Sequence, residues 1–99
     1  MSPLRGEIWD TNRPHLTQVL VVSGGMYNSL PDVPQVLVVP LVQDEFPGGW
    51  SVAVGEGSFA VVDRISPFRK AWLTKQRRRV DTETLTDVNN ALFKILATE

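Results

Sequence analysis

No cysteine occurs among the 99 residues, so disulfides and thiolate metal sites are excluded. A single histidine, His15, rules out a histidine-rich metal cluster. No apolar run approaches the roughly 18 residues of a membrane-spanning helix. The opening Met1-Ser2-Pro3-Leu4-Arg5 lacks the apolar stretch of a signal peptide. A cytoplasmic protein without membrane contact is therefore expected. Gly24-Gly25 and Gly55-Glu56-Gly57 match neither glycine-rich phosphate-loop pattern, and no long helix follows either. Both are read as turns. Internal repeats and low-complexity tracts are absent as well.

The chain is 42% hydrophobic and holds three Trp and four Phe, enough for a modest core in one domain spanning 1–99. That size is near the limit where a partner chain often adds burial. The net charge of −1 hides an uneven distribution. Residues 1–63 carry two bases and seven acids, residues 64–80 seven bases and no acid, and residues 81–99 one base and four acids. The basic segment is either a solvated face or a surface for nucleic acid.

Two apolar runs organise the rest. Val19-Leu20-Val21-Val22 sits within a strand expected at about Leu16–Ser23, and Val36–Val42 lies within a second at about Gln35–Val42. Their β-branched content and their Gly and Pro boundaries indicate neighbouring central strands covered on both faces. Arg5–Trp9 reads as a short first strand, followed by a turn-rich loop from Asp10 to His15. Met26–Leu30 reads as one helical turn, and Gln43–Gly49 as a polar turn. Trp50–Val54 and Ser58–Asp63 read as strands. Arg64–Phe68 extends the second of these, with Pro67 restricting it to an edge or an end. Ala71–Leu73 is expected to form a short helical turn, and Lys75–Val80 a basic edge strand. The final segment is a helix capped by Asp81 or Thr82, with Leu85, Val88, Leu92, Ile95 and Leu96 on one apolar stripe that Ala91 and Phe93 widen. About five to seven strands with one C-terminal helix make a small barrel-like β-domain the expected architecture.

This order resembles the MazF/PemK toxins of bacterial toxin–antitoxin pairs over nearly the whole chain. Arg5-Gly6-Glu7-Ile8-Trp9 is similar to the family's opening segment. Val19–Ser23 with Met26-Tyr27-Asn28 is similar to its LVVS…YN stretch, and Val38-Val39-Pro40-Leu41 to its V-x-P-L strand. Asp63-Arg64-Ile65 followed by Leu73 is similar to its D-Q-I…L stretch, and Leu85, Val88, Ala91 and Leu92 to its closing helix. The resemblance implies a mainly β fold with a C-terminal α-helix, a small SH3-like, CcdB/MazF-like β-barrel, as a homodimer. It also implies a toxin that acts as a metal-independent endoribonuclease, needs no cofactor and cleaves single-stranded RNA. A cognate antitoxin protein would block the RNA groove with an extended or helical tail.

Such cleavage needs a proton acceptor for the 2′-hydroxyl, a donor for the leaving oxygen, and positive charge against the pentacovalent phosphate. In the family, an Arg just before the first apolar strand and a Thr directly after P-L supply much of this. Aligned on Val19–Ser23, that Arg falls on Thr17, the Pro after it on Gln18, and the Thr on Val42, a core or near-core residue without a hydroxyl. Gln43 stands where the family often has Ser, and Arg64 where it often has Gln. The catalytic candidates are thus Arg13 as the replacement cation, His15 as general acid or base, and Thr17 as a phosphate-orienting hydroxyl. Arg13 and Thr17 are about 13 Å apart along an extended chain, so a bend is needed to bring them together. Arg64, Arg69, Lys70 and Gln43 are the RNA-binding candidates. Tyr27, Trp50, Phe68 and Trp72 either stack on bases or fill the core and a dimer interface. The two departures keep other classes open: a non-ribonuclease toxin such as a gyrase poison in the manner of CcdB, an inactive paralogue that titrates antitoxin, or a structural β-module.

Overall fold

Runs of adjacent β-branched residues make strands whose two faces both require apolar cover, and this chain supplies a separate core for each face. The computed structural model describes residues 2–44 and 50–96. Residues 45–49 of the polar turn expected at 43–49 lie outside the described residues. Seven strands follow in order: β1 (Glu7–Thr11), β2 (Gln18–Val21), β3 (Gln35–Val42), β4 (Ser51–Gly55), β5 (Ser58–Val61), β6 (Ser66–Arg69) and β7 (Leu73–Arg79). A one-turn helix, α1 (Gly25–Asn28), follows β2, and a long helix, α2 (Thr82–Leu96), follows β7. Among the described residues no helix is long and apolar enough to cross a membrane.

As the apolar runs indicate, β2 and β3 are antiparallel neighbours, with Val19 opposite Pro40 and Val21 opposite Val38. β1 extends the sheet beyond β2, and β7 beyond β1. The other edge of β3 is shared: Gln35–Val38 pair with β6, while Leu41 and Val42 pair with β5, which carries β4. β6 is therefore a strand of its own, separated from β5 by a 3-10 turn at Val62–Arg64, and not the extension expected from sequence. Its Pro67 sits opposite Leu37 in the ladder with β3, and no other strand among those described pairs with β6. Such an edge tolerates the missing N–H.

Strand alternation sorts the side chains. Ile8, Leu20, Val22 and Val39 enter one core with Val54, Ala60 and Val62, and α2 covers it with Val88, Ala91 and Leu92. Trp9, Val19, Val21, Val36 and Val38 enter a second core with Phe68, flanked by Leu16, Trp72 and Leu73. Period two applied to unbroken valine runs thus yields two cores from one sheet.

The expected barrel is not closed. The main path runs β4-β5-β3-β2-β1-β7, and its two ends share no ladder. β7 carries Lys75, Arg77, Arg78 and Arg79, a charge density that opposes pairing at its edge. Arg78 spans the seam with its side chain instead: Nη1 donates to the Val54 carbonyl at 2.9 Å and Nη2 to the Gly55 carbonyl at 3.1 Å. Its Nε lies 3.3 Å from Glu56 Oε2. Gly55, at φ +92°, turns the chain beneath this guanidinium, where an added Cβ would stand 3.5 Å from Nη1.

The Arg5-Gly6-Glu7-Ile8-Trp9 motif is absorbed by the fold. Arg5 Nη2 donates to Asn89 Oδ1 on α2. Gly6, at φ +90°, bonds to both neighbours, its N–H to the Val21 carbonyl at 2.8 Å and its carbonyl to the Val80 N–H at 2.9 Å. Glu7 Oε1 accepts from the Leu4 N–H at 2.9 Å and from Trp9 Nε1 at 3.0 Å. On α2, Asp81 is the capping residue: Oδ1 accepts from the Thr84 N–H at 2.8 Å. Phe93 and Leu96 do not join the packed stripe and are 71% and 74% exposed. Phe93 lies about 100° around the helix from buried Leu92, and Leu96 stands one turn further along on that outer side.

Candidate nucleic-acid cleft

The loop between β1 and β2 is held by the last residue of β1. Thr11 Oγ1 donates to the Leu16 carbonyl and accepts from the Arg13 N–H at 3.0 Å. The Thr11 N–H donates to the Thr17 carbonyl at 3.0 Å, and the Asn12 N–H to the Trp72 carbonyl at 3.0 Å. β2 begins at Gln18 and not at Leu16, with the Thr11–Thr17 bond continuing the register of β1 on β2 by one residue. The Thr11 bonds also supply the bend that an extended reading of residues 13–17 lacked. Arg13 lies over the Trp72 ring, its guanidinium carbon 4.5 Å from the ring centroid. Trp72 meets Phe68 edge to face, with centroids 5.1 Å apart and planes at 78°.

Two concavities meet at His15 and Leu16. The larger, about 390 Å³, is walled by Arg13, Pro14, Pro67, Phe68 and Trp72. The smaller, about 200 Å³, is walled by Pro40, Leu41, Val42, Val61 and Arg64. The pair forms one cleft: an aromatic floor and a stacked guanidinium at one end, a second guanidinium at the other, and an imidazole between. Chemically this offers stacking surface, positive charge and one proton-transfer group.

The candidates distribute unequally. Arg13, His15 and Arg64 come together along this cleft. Thr17 is exposed and lines neither concavity. Arg69, the last residue of β6, and Lys70, which opens the 3-10 turn to Trp72, line neither concavity. Val42 is half-buried in the wall of the smaller one, so its isopropyl group meets the cleft where a threonine would offer a hydroxyl. Gln43 faces a different cavity, of about 370 Å³, with Gln18, Ser58, Arg77 and Arg78. At its rim Asp10 accepts from Gln18 Nε2 at 3.0 Å and from Arg77 Nε at 2.7 Å. The Gln18 bond, helped by Arg77 and Lys75 and opposed by partial burial, holds the Asp10 carboxyl below its ordinary range.

Sequence reasoning left Gln18, Arg77 and Arg78 out of the candidate set. A period-two signal marked Arg78: it shares a strand face with buried Val80, while Arg77 and Arg79 are exposed. Nothing in the local sequence pointed to the Arg13–Trp72 stack, which joins residues 59 positions apart.

Neither a family model nor a curated protein sequence matches the chain. Solved structures do. An endoribonuclease from Mycobacterial species is 24% identical with a TM-score of 0.81, over 98% of this chain and 93% of that one. An endoribonuclease in complex with its cognate antitoxin, also from Mycobacterial species, is 21% identical with a TM-score of 0.80, over 99% and 98% of the two chains. A MazE–MazF structure from Deinococcus radiodurans is 16% identical with a TM-score of 0.83, over 99% of each chain. The fold is therefore MazF-like.

Proposed function

We propose that the chain, as one MazF-like domain over residues 1–99, is the toxin of a bacterial toxin–antitoxin pair and cleaves single-stranded RNA in the His15 cleft without a metal ion. The meeting of His15 with Arg64 at one end and with the Arg13–Trp72 stack at the other carries this reading. Single-stranded RNA is read by stacking and by backbone charge, and the cleft offers both. Bases stack against Trp72, which buried Phe68 supports from below, while Arg13, Arg64, Arg69 and Lys70 meet phosphates. His15 takes the proton of the 2′-hydroxyl as its oxygen attacks the adjacent phosphorus. The bond to the 5′-oxygen breaks, and that oxygen leaves with a proton returned from the imidazolium or from water. Arg13 and Arg64 offset the charge that builds on the phosphate. Thr17, outside the cleft, does no more than orient a neighbouring phosphate. The neighbouring endoribonuclease in complex with its cognate antitoxin supports a cognate antitoxin for this chain, and a homodimer is the remaining part of this reading.

The test is incubation of the purified protein with single-stranded RNA in EDTA. Fragments ending in a 2′,3′-cyclic phosphate are expected, and RNA left intact at high protein concentration would sink the reading. A second reading rests on Val42 and the apolar wall it shares with Pro40, Leu41 and Val61. That wall suits a binding protein on the same fold, which would retain RNA or antitoxin while leaving RNA uncut.

A further inference from the structure

Where β7 faces the β4–β5 turn the sheet has no ladder, and a cavity of about 370 Å³ lies along this seam. Ile8, a residue of the first core that is 1% exposed, lines it between Glu56 and Ser58 of the hairpin and Arg77 and Arg78 of β7. We infer that the tip of the β4–β5 hairpin is a flap over this cavity, that the Arg78 guanidinium is its latch, and that the flap sets the wall of the His15–Arg64 concavity through β5. This holds whether or not RNA is cut in the cleft, because it concerns the chain's own geometry.

The hairpin is built to bend behind its tip. The register of β4 on β5 shifts between Ala53 and Gly55, so Val54 has no partner in it. Such a bulge interrupts a ladder and lets the strand bend. One pair remains beyond it, Gly55 with Ser58. Gly55, Glu56 and Gly57 then turn the chain at φ +92°, +54° and +75°, a conformation that two glycines adopt without a Cβ clash. Side-chain chemistry holds this short tip to β7: the two Arg78 bonds to the Val54 and Gly55 carbonyls and its ion pair with Glu56. A guanidinium fork makes both bonds at once and releases them without breaking a backbone ladder. Opening uncovers one apolar residue of the hairpin, Val54, and gives water a path to Ile8. Local openings of this kind occur far below the free energy of global unfolding.

β5 joins the flap to the cleft. Its first residue, Ser58, walls the cavity, and its last, Val61, walls the smaller concavity with Leu41, Val42 and Arg64. The two ends are about 10 Å apart in an extended strand. Between them Phe59 pairs with Val42 and Ala60 with Leu41, and these two pairs are the whole register of β5 on β3. A shift of β5 is therefore felt by the two β3 residues that wall the cleft. By reciprocity, a molecule that packs against Val61 and Val42 biases the flap as strongly as the flap biases its binding.

The test is amide exchange and methyl NMR on the wild type, Arg78→Lys and Glu56→Gln. Lysine keeps the charge and loses the fork; glutamine keeps the length and loses the ion pair. In the wild type, amides at 54–59 are expected to exchange through an opening that leaves β2 and β3 protected. Relative to β2 and β3 in the same molecule, Arg78→Lys is expected to speed that exchange by about 10- to 100-fold, the worth of hydrogen bonds to a charged group, and Glu56→Gln by less. This ratio separates release of the flap from a general loss of stability. The Val42 and Val61 methyl signals are expected to shift in Arg78→Lys, while those of Val36 and Val38 in the second core stay. Exchange at 54–59 only in step with β2 and β3, an unchanged ratio in Arg78→Lys, or unmoved Val42 and Val61 signals would overturn the inference. None of these readouts involves RNA, so the outcome is independent of the ribonuclease reading.

Discussion

Asn28 is fully buried and joins three pieces of chain. Its Nδ2 donates to the Pro3 carbonyl at 2.9 Å and the Ser23 carbonyl at 3.0 Å, while Oδ1 accepts from Ser23 Oγ. Ser23 Oγ in turn accepts from the Leu37 N–H at 3.0 Å. Truncation would strand these partners away from water, so Asn28→Ala is expected to lower stability by about 2–4 kcal/mol, measured by denaturant unfolding. A loss below about 0.5 kcal/mol would contradict the network. Asp10 offers a test by pH. Its native pKa lies below its unfolded value, chiefly through the Gln18 bond, so the native state binds fewer protons under acid conditions. The contribution is present above the ordinary aspartate range and is lost as pH falls through the depressed native value. Gln18→Ala is expected to move the Asp10 carbon-13 titration midpoint upward; an unchanged midpoint would contradict the contact.

The elements differ in how much of them the sequence displays. The paired valine strands, the α2 stripe at Leu85, Val88 and Leu92 and the Asp81 cap are local patterns, and all three were legible. Leu92 is buried in the first core, so Leu92→Ala is expected to cost about 2–5 kcal/mol by denaturant unfolding, and a loss under about 1 kcal/mol would contradict the packing of α2. Phe93 shows the limit of the same pattern. Its apolar side chain suggested burial, yet helix geometry turns it outward. The β1–β2 loop was legible as a loop and no further, because its shape comes from Thr11 bonding residues two to six positions away. Thr11→Val keeps the shape of the side chain and removes the hydroxyl. Faster amide exchange at 13–17 and a stability loss of about 1–2 kcal/mol are expected; unchanged exchange would show that the hydroxyl does not hold the loop.

At the scale of the whole molecule, the opening motif and Asn28, which carry part of the family resemblance, carry the fold, while Pro40, Leu41 and Arg64 of the same resemblance wall the cleft. Arg5, Gly6, Trp9 and Asn28 tie the N-terminal segment to α2, β2, β7 and α1, and none of them lines the cleft. The fold was therefore readable from those motifs. The candidate site was only half readable, because tertiary closure stacks Arg13 on Trp72 and brings His15 and Arg64 to the wall of one concavity. Barrel closure was misread because strand count does not reveal that Arg78 replaces a ladder across the seam. The proposed function puts proton transfer at His15 and charge at Arg13 and Arg64, which line the cleft, and not at Thr17, which lines neither concavity. The most direct measurement is the single-turnover rate of RNA cleavage in EDTA for the wild type, His15→Ala and Thr17→Ala, each checked for native unfolding behaviour. His15→Ala is expected to lose at least about 100-fold, as befits a general acid or base, and Thr17→Ala no more than a few-fold. Full activity in His15→Ala, or a loss confined to Thr17→Ala, would contradict a chemistry centred on the loop.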